Sequence, residues 1–355
     1  MQLVSRNRRV RVSIGLERQL GYTLVELMVA ITIGLLVTAS LTTVFVNNLQ
    51  NRGEVENVNQ QTENGRYALQ LLSDDLRVAG FLAEYDPRVL VTPAAKPDPC
   101  ATDIPTLVSA LALPVQGYDQ GTSPPSCLSD LRAGSDILVI RRASTCSVTE
   151  TGCDALSTGP VFFQASACFT NGELPYVLDS DQTKLTLHKK DCATIAPIYQ
   201  YRTHIYFVAN NDKSGDGIPT LKRAELGASG NTPTFTIVPL VEGIEDVQLE
   251  YGLDTSTPAA GSPAAFTADP DKKNSCSSTT TPTCTAYWAN SVAAKIHVLA
   301  RSPVPTANFS TDKTYYLGLQ ADGTSAIDGP YTDAYRRHVY ESTVRINNVA
   351  GRNLP

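Results

Sequence analysis

The chain has 355 residues, 42% hydrophobic and 18% charged, with 23 Gly and 22 Pro, which excludes wholesale disorder and the collagen-like and low-complexity classes and leaves room for one large domain or two ordinary ones. The formal charge is −6, but Arg6, Arg8, Arg9, Arg11 and Arg18 stand against Glu17 alone before Gly21, so the remainder carries −10. So acidic a chain argues against nucleic acid as the main partner, because coating phosphates depends on Lys and Arg displacing counterions.

The Arg-rich leader, residues 1–21, runs into Gly21-Tyr22-Thr23-Leu24-Val25-Glu26 and then into Leu27 to Val46, 20 residues without a charge. At 1.5 Å per residue that run spans about 30 Å, the hydrocarbon thickness of a bilayer, and predicts a transmembrane helix over 22–46. Arg clusters before the run, and the next basic residue after it is Arg52, so the leader lies in the cytoplasm and the bulk of the chain outside. A secretory signal has a shorter apolar core that ends in its small-residue cleavage site; here the small residue, Gly21, comes first, and cleavage there leaves the helix on the mature protein. Glu26 is costly in lipid unless partnered. The α-amino group freed at Tyr22, on the same chain or a neighbour, is its natural partner, and headgroup depth is the alternative.

Gly21-Tyr22-Thr23-Leu24-Val25-Glu26-Leu27 resembles the class III leader of type IV pilins and pseudopilins. The resemblance implies a prepilin peptidase that cuts after Gly21 and methylates the new N-terminus. Where the family usually has Phe, this chain has Tyr22, and an aromatic ring is kept.

Residues 47–80 contain no Pro, and Gly65, Leu69, Leu72, Leu76 and Ala79 recur at spacings of four and three, one stripe of a helix that continues the membrane segment to a Gly80 stop. That stripe is read as ordinary core packing; Gly34, Gly53 and Gly65 each weaken the helix by about 1 kcal/mol. Residues 86–126 hold eight prolines and predict loop with little regular structure. Strand patterns follow at 136–140, 184–188, 203–208, 247–251, 294–299 and 339–346, and the stretch 255–285, rich in Thr, Ser and Pro, predicts a surface insertion. The expected fold is α+β: a long N-terminal α-helix, half membrane and half amphipathic, packed on a mostly antiparallel β-rich head at 81–355.

The resemblance narrows to the PilW-type minor pilins through an ordered series of segments: Glu63-Asn64-Gly65-Arg66-Tyr67-Ala68-Leu69, Asp75-Leu76-Arg77-Val78-Ala79-Gly80-Phe81, Gly134-Ser135-Asp136-Ile137-Leu138, Gly217-Ile218-Pro219-Thr220-Leu221-Lys222-Arg223, Val241-Glu242-Gly243-Ile244-Glu245-Asp246-Val247, His297-Val298-Leu299-Ala300-Arg301-Ser302, and Arg336-Arg337-His338 through Asn347. It covers 21 to about 348. It implies a subunit that joins other minor pilins, the major pilin and a large tip adhesin, on an inner-membrane assembly platform, to prime polymerisation of a type IV pilus. A minor pseudopilin of type II secretion, and a surface adhesin or DNA-uptake pilin binding through 86–126 or 255–285, are the competing readings.

Cys100, Cys127, Cys146, Cys153, Cys168, Cys192, Cys276 and Cys284 all lie in the part expected outside the cytoplasm, where an even number suggests disulfides. Eight cysteines admit on the order of 100 connectivities. Pairing neighbours (100 with 127, 146 with 153, 168 with 192, 276 with 284) closes the shortest loops. No Cys-His cluster has zinc spacing. His188, His204, His297 and His338 are scattered and read as sheet residues, and no hydrolase, phosphate-loop or dinucleotide motif points to catalysis or a cofactor. Asp212, Ser214 and Asp216 offer oxygens at alternate positions, like the first half of a calcium loop, but Arg223 stands where the bidentate acid belongs; a solvated hairpin turn is the simpler reading.

Overall fold

A computed structural model of the protein describes residues 21–121, 123–168, 172–307 and 309–354. The Arg-rich leader, residues 1–20, lies outside the described residues. The chain divides into two compact units, Met1–Val55 and Glu56–Pro355.

The first helix, α1, runs Leu24–Val78. In the first unit its side chains are exposed, Leu27, Met28, Ile31, Leu35 and Leu36 among them. Its hydroxyls are satisfied within the helix: Thr32 donates to the Val29 carbonyl at 2.9 Å, Thr38 to Gly34 at 2.8 Å, Ser40 to Leu36 at 2.9 Å, Thr42 to Thr38 at 2.8 Å and Thr43 to Ala39 at 2.9 Å. With no donor left over, these residues are compatible with an apolar surrounding. Among the described residues, α1 is the one helix long and apolar enough to cross a membrane, with mean hydropathy 2.2 over its best window.

In the second unit α1 turns a buried stripe inward, Gly65, Ala68, Leu72 and Leu76, which Ala79 continues just past its end. Gly65 has a packing reason, since a Cβ there would lie 2.3 Å from the Tyr340 ring; only glycine lets ring and backbone approach so closely. The helix ends as Gly80 takes φ +74 and donates its N–H to the Arg141 carbonyl at 2.9 Å, the left-handed stop that glycine adopts without strain.

The remaining elements are α2 (Ile104–Ala110), β1 (Val115–Tyr118), β2 (Ile137–Ala143), β3 (Phe162–Ala165), β4 (Tyr176–Asp179), β5 (Ile198–Ala209), β6 (Thr220–Ser229), β7 (Thr232–Glu242), β8 (Ile244–Leu253), β9 (Ala265–Thr267), α3 (Cys284–Ala289), β10 (Ser291–Arg301), β11 (Tyr315–Leu319), β12 (Ser325–Asp328), β13 (Arg337–Arg345) and α4 (Asn347–Arg352). All strand pairs are antiparallel. β5, 12 residues long, organises the larger sheet: one edge pairs with β2, which carries β1, while its first part pairs with β3 and β4 beyond it and its second part with β6 and then β7. A second sheet has the order β13-β10-β8-β9, and β11 and β12 form a small hairpin. One apolar cluster joins the α1 stripe to Leu138, Ile140 and Tyr206 of the larger sheet and to Leu249, Ile296 and Val298 of the second. The architecture is α+β, a long helix packed with antiparallel sheet.

Three local expectations change. Residues 184–188 are not a strand: Gln182–Lys184 is a 3-10 turn capped by Asp181, whose side chain accepts from Thr183 N, and one isolated bridge joins His188 to Ile195. The alternation there finds no partner strand for a ladder. The Pro-rich stretch contains α2 and β1; Asp103 accepts from Thr106 N at 3.0 Å and Pro105 sits in the first turn, a helix start written in sequence. The 255–285 insertion contributes β9, a capped turn at Pro270–Ser275 and the first residues of α3, and Asp271 accepts from the indole N–H of the buried Trp288 at 2.7 Å.

The cysteines are joined as Cys100–Cys127, Cys146–Cys153, Cys168–Cys192 and Cys276–Cys284.

Candidate functional site

The start of α1 is a reciprocal cap. Thr23 N donates to Glu26 Oε2 at 2.9 Å, Thr23 Oγ1 donates to the same oxygen at 3.0 Å, and Glu26 N donates back to Thr23 Oγ1 at 3.3 Å. The residue three positions into the helix thus satisfies amides that helix geometry leaves without carbonyl partners. Tyr22 is 89% exposed beside it, and no atom among the described residues lies within 4 Å of a Cβ placed on Gly21. Gly21, Tyr22 and Glu26 are therefore accessible together. The Thr23 half of the cap was legible as a Thr-x-x-Glu box ahead of an apolar run, a signal overlooked when Glu26 is read only as a membrane charge.

In the head, α1 is stitched to the sheets by amides. Gln61 Nε2 donates to the Ala300 carbonyl at 2.8 Å and the Arg336 carbonyl at 3.1 Å, and Asn64 Nδ2 to the Glu242 carbonyl at 3.0 Å. Asp75, buried, accepts from Arg142 Nε at 2.8 Å, His204 Nδ1 at 2.6 Å and the Tyr206 hydroxyl at 2.9 Å. Burial alone would raise its pKa, but the His204 hydrogen bond and the Arg142 charge outweigh it and hold the carboxyl below the usual range. Burial pushes the His204 pKa down, and the hydrogen bond and charge of Asp75 oppose that. The Asp75–His204 pair has the orientation of a base and its positioning acid, yet His204 is buried and its Nε2 meets no hydrogen-bond partner among the described residues; it ties helix to sheet.

A second buried carboxylate, Glu245, gathers three guanidiniums: Arg337, bound through both Nε and Nη2, Arg132 at 3.1 Å and Arg301 at 3.8 Å. Asp333 takes both Nη atoms of Arg337 at 2.7 Å, and the rings of Tyr331 and Tyr335 cover Arg337 and Arg301 at 3.5 and 4.2 Å. Surrounding cations repay the desolvation of Glu245.

The other histidines are dispersed. His188 meets Glu173 at 2.5 Å, His297 lies between Glu250 and Glu341 at 3.5 and 3.7 Å, and His338 meets the Tyr340 ring edge to face at 4.8 Å. Asp212, Ser214 and Asp216 lie in the turn between β5 and β6. There Asp216 accepts from the amides of Asp212, Lys213 and Ile218 at 3.1, 2.7 and 3.0 Å, the pattern of a side chain shaping its own turn. Among the described residues no three His, Cys, Asp or Glu are grouped to hold a metal ion.

Residues 17–42 match the family model of the Prokaryotic N-terminal methylation motif. That motif on an exposed apolar helix fits a membrane-anchored pilin. Residues 205–348, which span β6 to β13 and include Glu245, Arg301 and Arg337, match the family model of Type IV Pilus-assembly protein W. The two matches support a type IV pilus-associated pilin of the PilW type, a structural class of protein. No curated protein and no solved structure matches the chain.

Proposed function

We propose that the protein is a non-enzymatic minor pilin that primes type IV pilus polymerisation in a tip complex with other minor pilins, the major pilin and a large adhesin. The observation that carries this is the union, in one chain, of a methylation-motif helix with exposed apolar side chains and a PilW-matched head. Prepilin peptidase cuts after Gly21, the head is periplasmic before assembly, and α1 packs laterally among like helices while Glu26 meets the amine of Tyr22. The loop-rich head, far longer than α1, suits a filament end where few copies are needed. Deleting the chain should sharply lower the number of surface pili while the major subunit still accumulates in the membrane, and blocking retraction should partly restore them. Near-stoichiometric amounts of this chain along sheared pili would replace the priming role with a shaft-forming one.

A further inference from the structure

The chain has 35 acidic and 29 basic side chains, and several cations of the head, Arg77, Lys96, Arg142, Arg202, Arg223 and Lys295, each pair with a carboxylate. A groove of about 350 Å³ between the head portion of α1 and the chain of and around β11 and β13 gathers cations with no acidic residue in its lining. Arg66 and Lys313, both exposed, line it without an ion pair among the described residues. Glu63 and Asp312, the nearest acids in sequence, are not among the residues that line the groove. Arg337 also lines the groove, but its charge is answered by Glu245 and Asp333.

The walls are partly aromatic. Arg336 lies over the Phe309 ring at 4.5 Å, His338 meets Tyr340 edge to face, and Tyr340 is seated against Gly65. Two unanswered cations on aromatic walls attract carboxylates and hold their aliphatic stems. Nucleic acid fits less well: it gains its affinity at physiological salt from roughly six to ten phosphate contacts, and the groove offers few cations in an acidic chain.

We propose that this groove is the docking site for an acidic polypeptide segment of a partner protein, with Arg66 and Lys313 as its charge contacts. The inference stands on the head alone and does not need the priming role, so loss of peptide binding and loss of pili are separate readouts.

The test uses the full chain in detergent micelles, titrated with a fluorescent polyglutamate peptide. Binding should weaken with salt, fall about tenfold or more in Arg66→Glu/Lys313→Glu, and stay unchanged in Lys189→Glu/Lys190→Glu, on an exposed loop elsewhere. The charge-reversed protein should instead gain affinity for polylysine. If that variant unfolds, Arg66→Gln and Lys313→Gln, at exposed positions, carry the same comparison. No binding by the wild type, or equal binding by the groove variants, overturns the proposal. Single-stranded DNA or anionic phosphatidylglycerol vesicles binding more tightly with the same groove dependence overturns the polypeptide assignment.

Discussion

Glu26 is held by its own helix before any neighbour arrives, through the two donors of Thr23. Replacing it with Val removes a charge from an apolar segment, so Glu26→Val should be cleaved and inserted normally yet enter pili poorly, measured as the ratio of sheared-pilus to membrane protein. Unchanged incorporation would leave Glu26 a cap and nothing more. A different carboxyl, Asp246, gives a pH signature. Burial raises it from the ordinary 3.8 to about 7, opposed by the hydrogen bond from Gln248. Between those values the folded chain keeps a proton the unfolded chain has lost, so stability falls as pH rises and levels off above about 7. Asp246→Asn keeps the shape and removes the titration; its gain over wild type in urea unfolding should be about 1–3 kcal/mol larger near pH 8 than near pH 5. A gain independent of pH would show that the carboxyl is not protonated in the fold.

At the scale of elements, the Cys100–Cys127 bridge spans 27 residues around α2 and β1, whereas Cys276–Cys284 spans eight. Loop closure favours the longer bridge, so replacing the first pair by Ser should cost about 2–4 kcal/mol, and more than replacing the second. Thermal unfolding of the two double variants decides it; equal losses would mean that the packing of α2, through the buried Leu107 and Ala110, already holds the segment. What the sequence made legible follows the same divide. α1 was readable because a charge-free run and a spaced stripe are local patterns. The hairpin of β6 and β7 was missed although Gly230-Asn231 is a two-residue turn signal, because Pro233 and Pro239 demote the second strand; β7 is an edge strand, where proline is tolerated. Lys184–His188 alternated convincingly and had no partner. The partners of Asp75 and Glu245, and the groove wall that faces Arg66, lie more than 50 residues away in sequence from the groups they meet, and only the fold brings them together.

For the whole molecule, the second unit holds both larger sheets, the main apolar cluster and all four disulfides. A chain beginning at Glu56 and exported to an oxidising compartment should therefore be soluble, with no free thiol and a single cooperative unfolding transition. Recovery only as aggregate would show that the head depends on residues before 56. One contact in that unit has a mechanical meaning. The Tyr340 ring occupies the gap over Gly65, with the side chains of Gln61 and Leu69 one turn to either side. Sliding β13 along the helix would drive the ring into one of them. The joint therefore behaves as a detent, which adds to the Gln61, Asn64 and Asp75 hydrogen bonds in resisting a slide of β13 along the helix under tension.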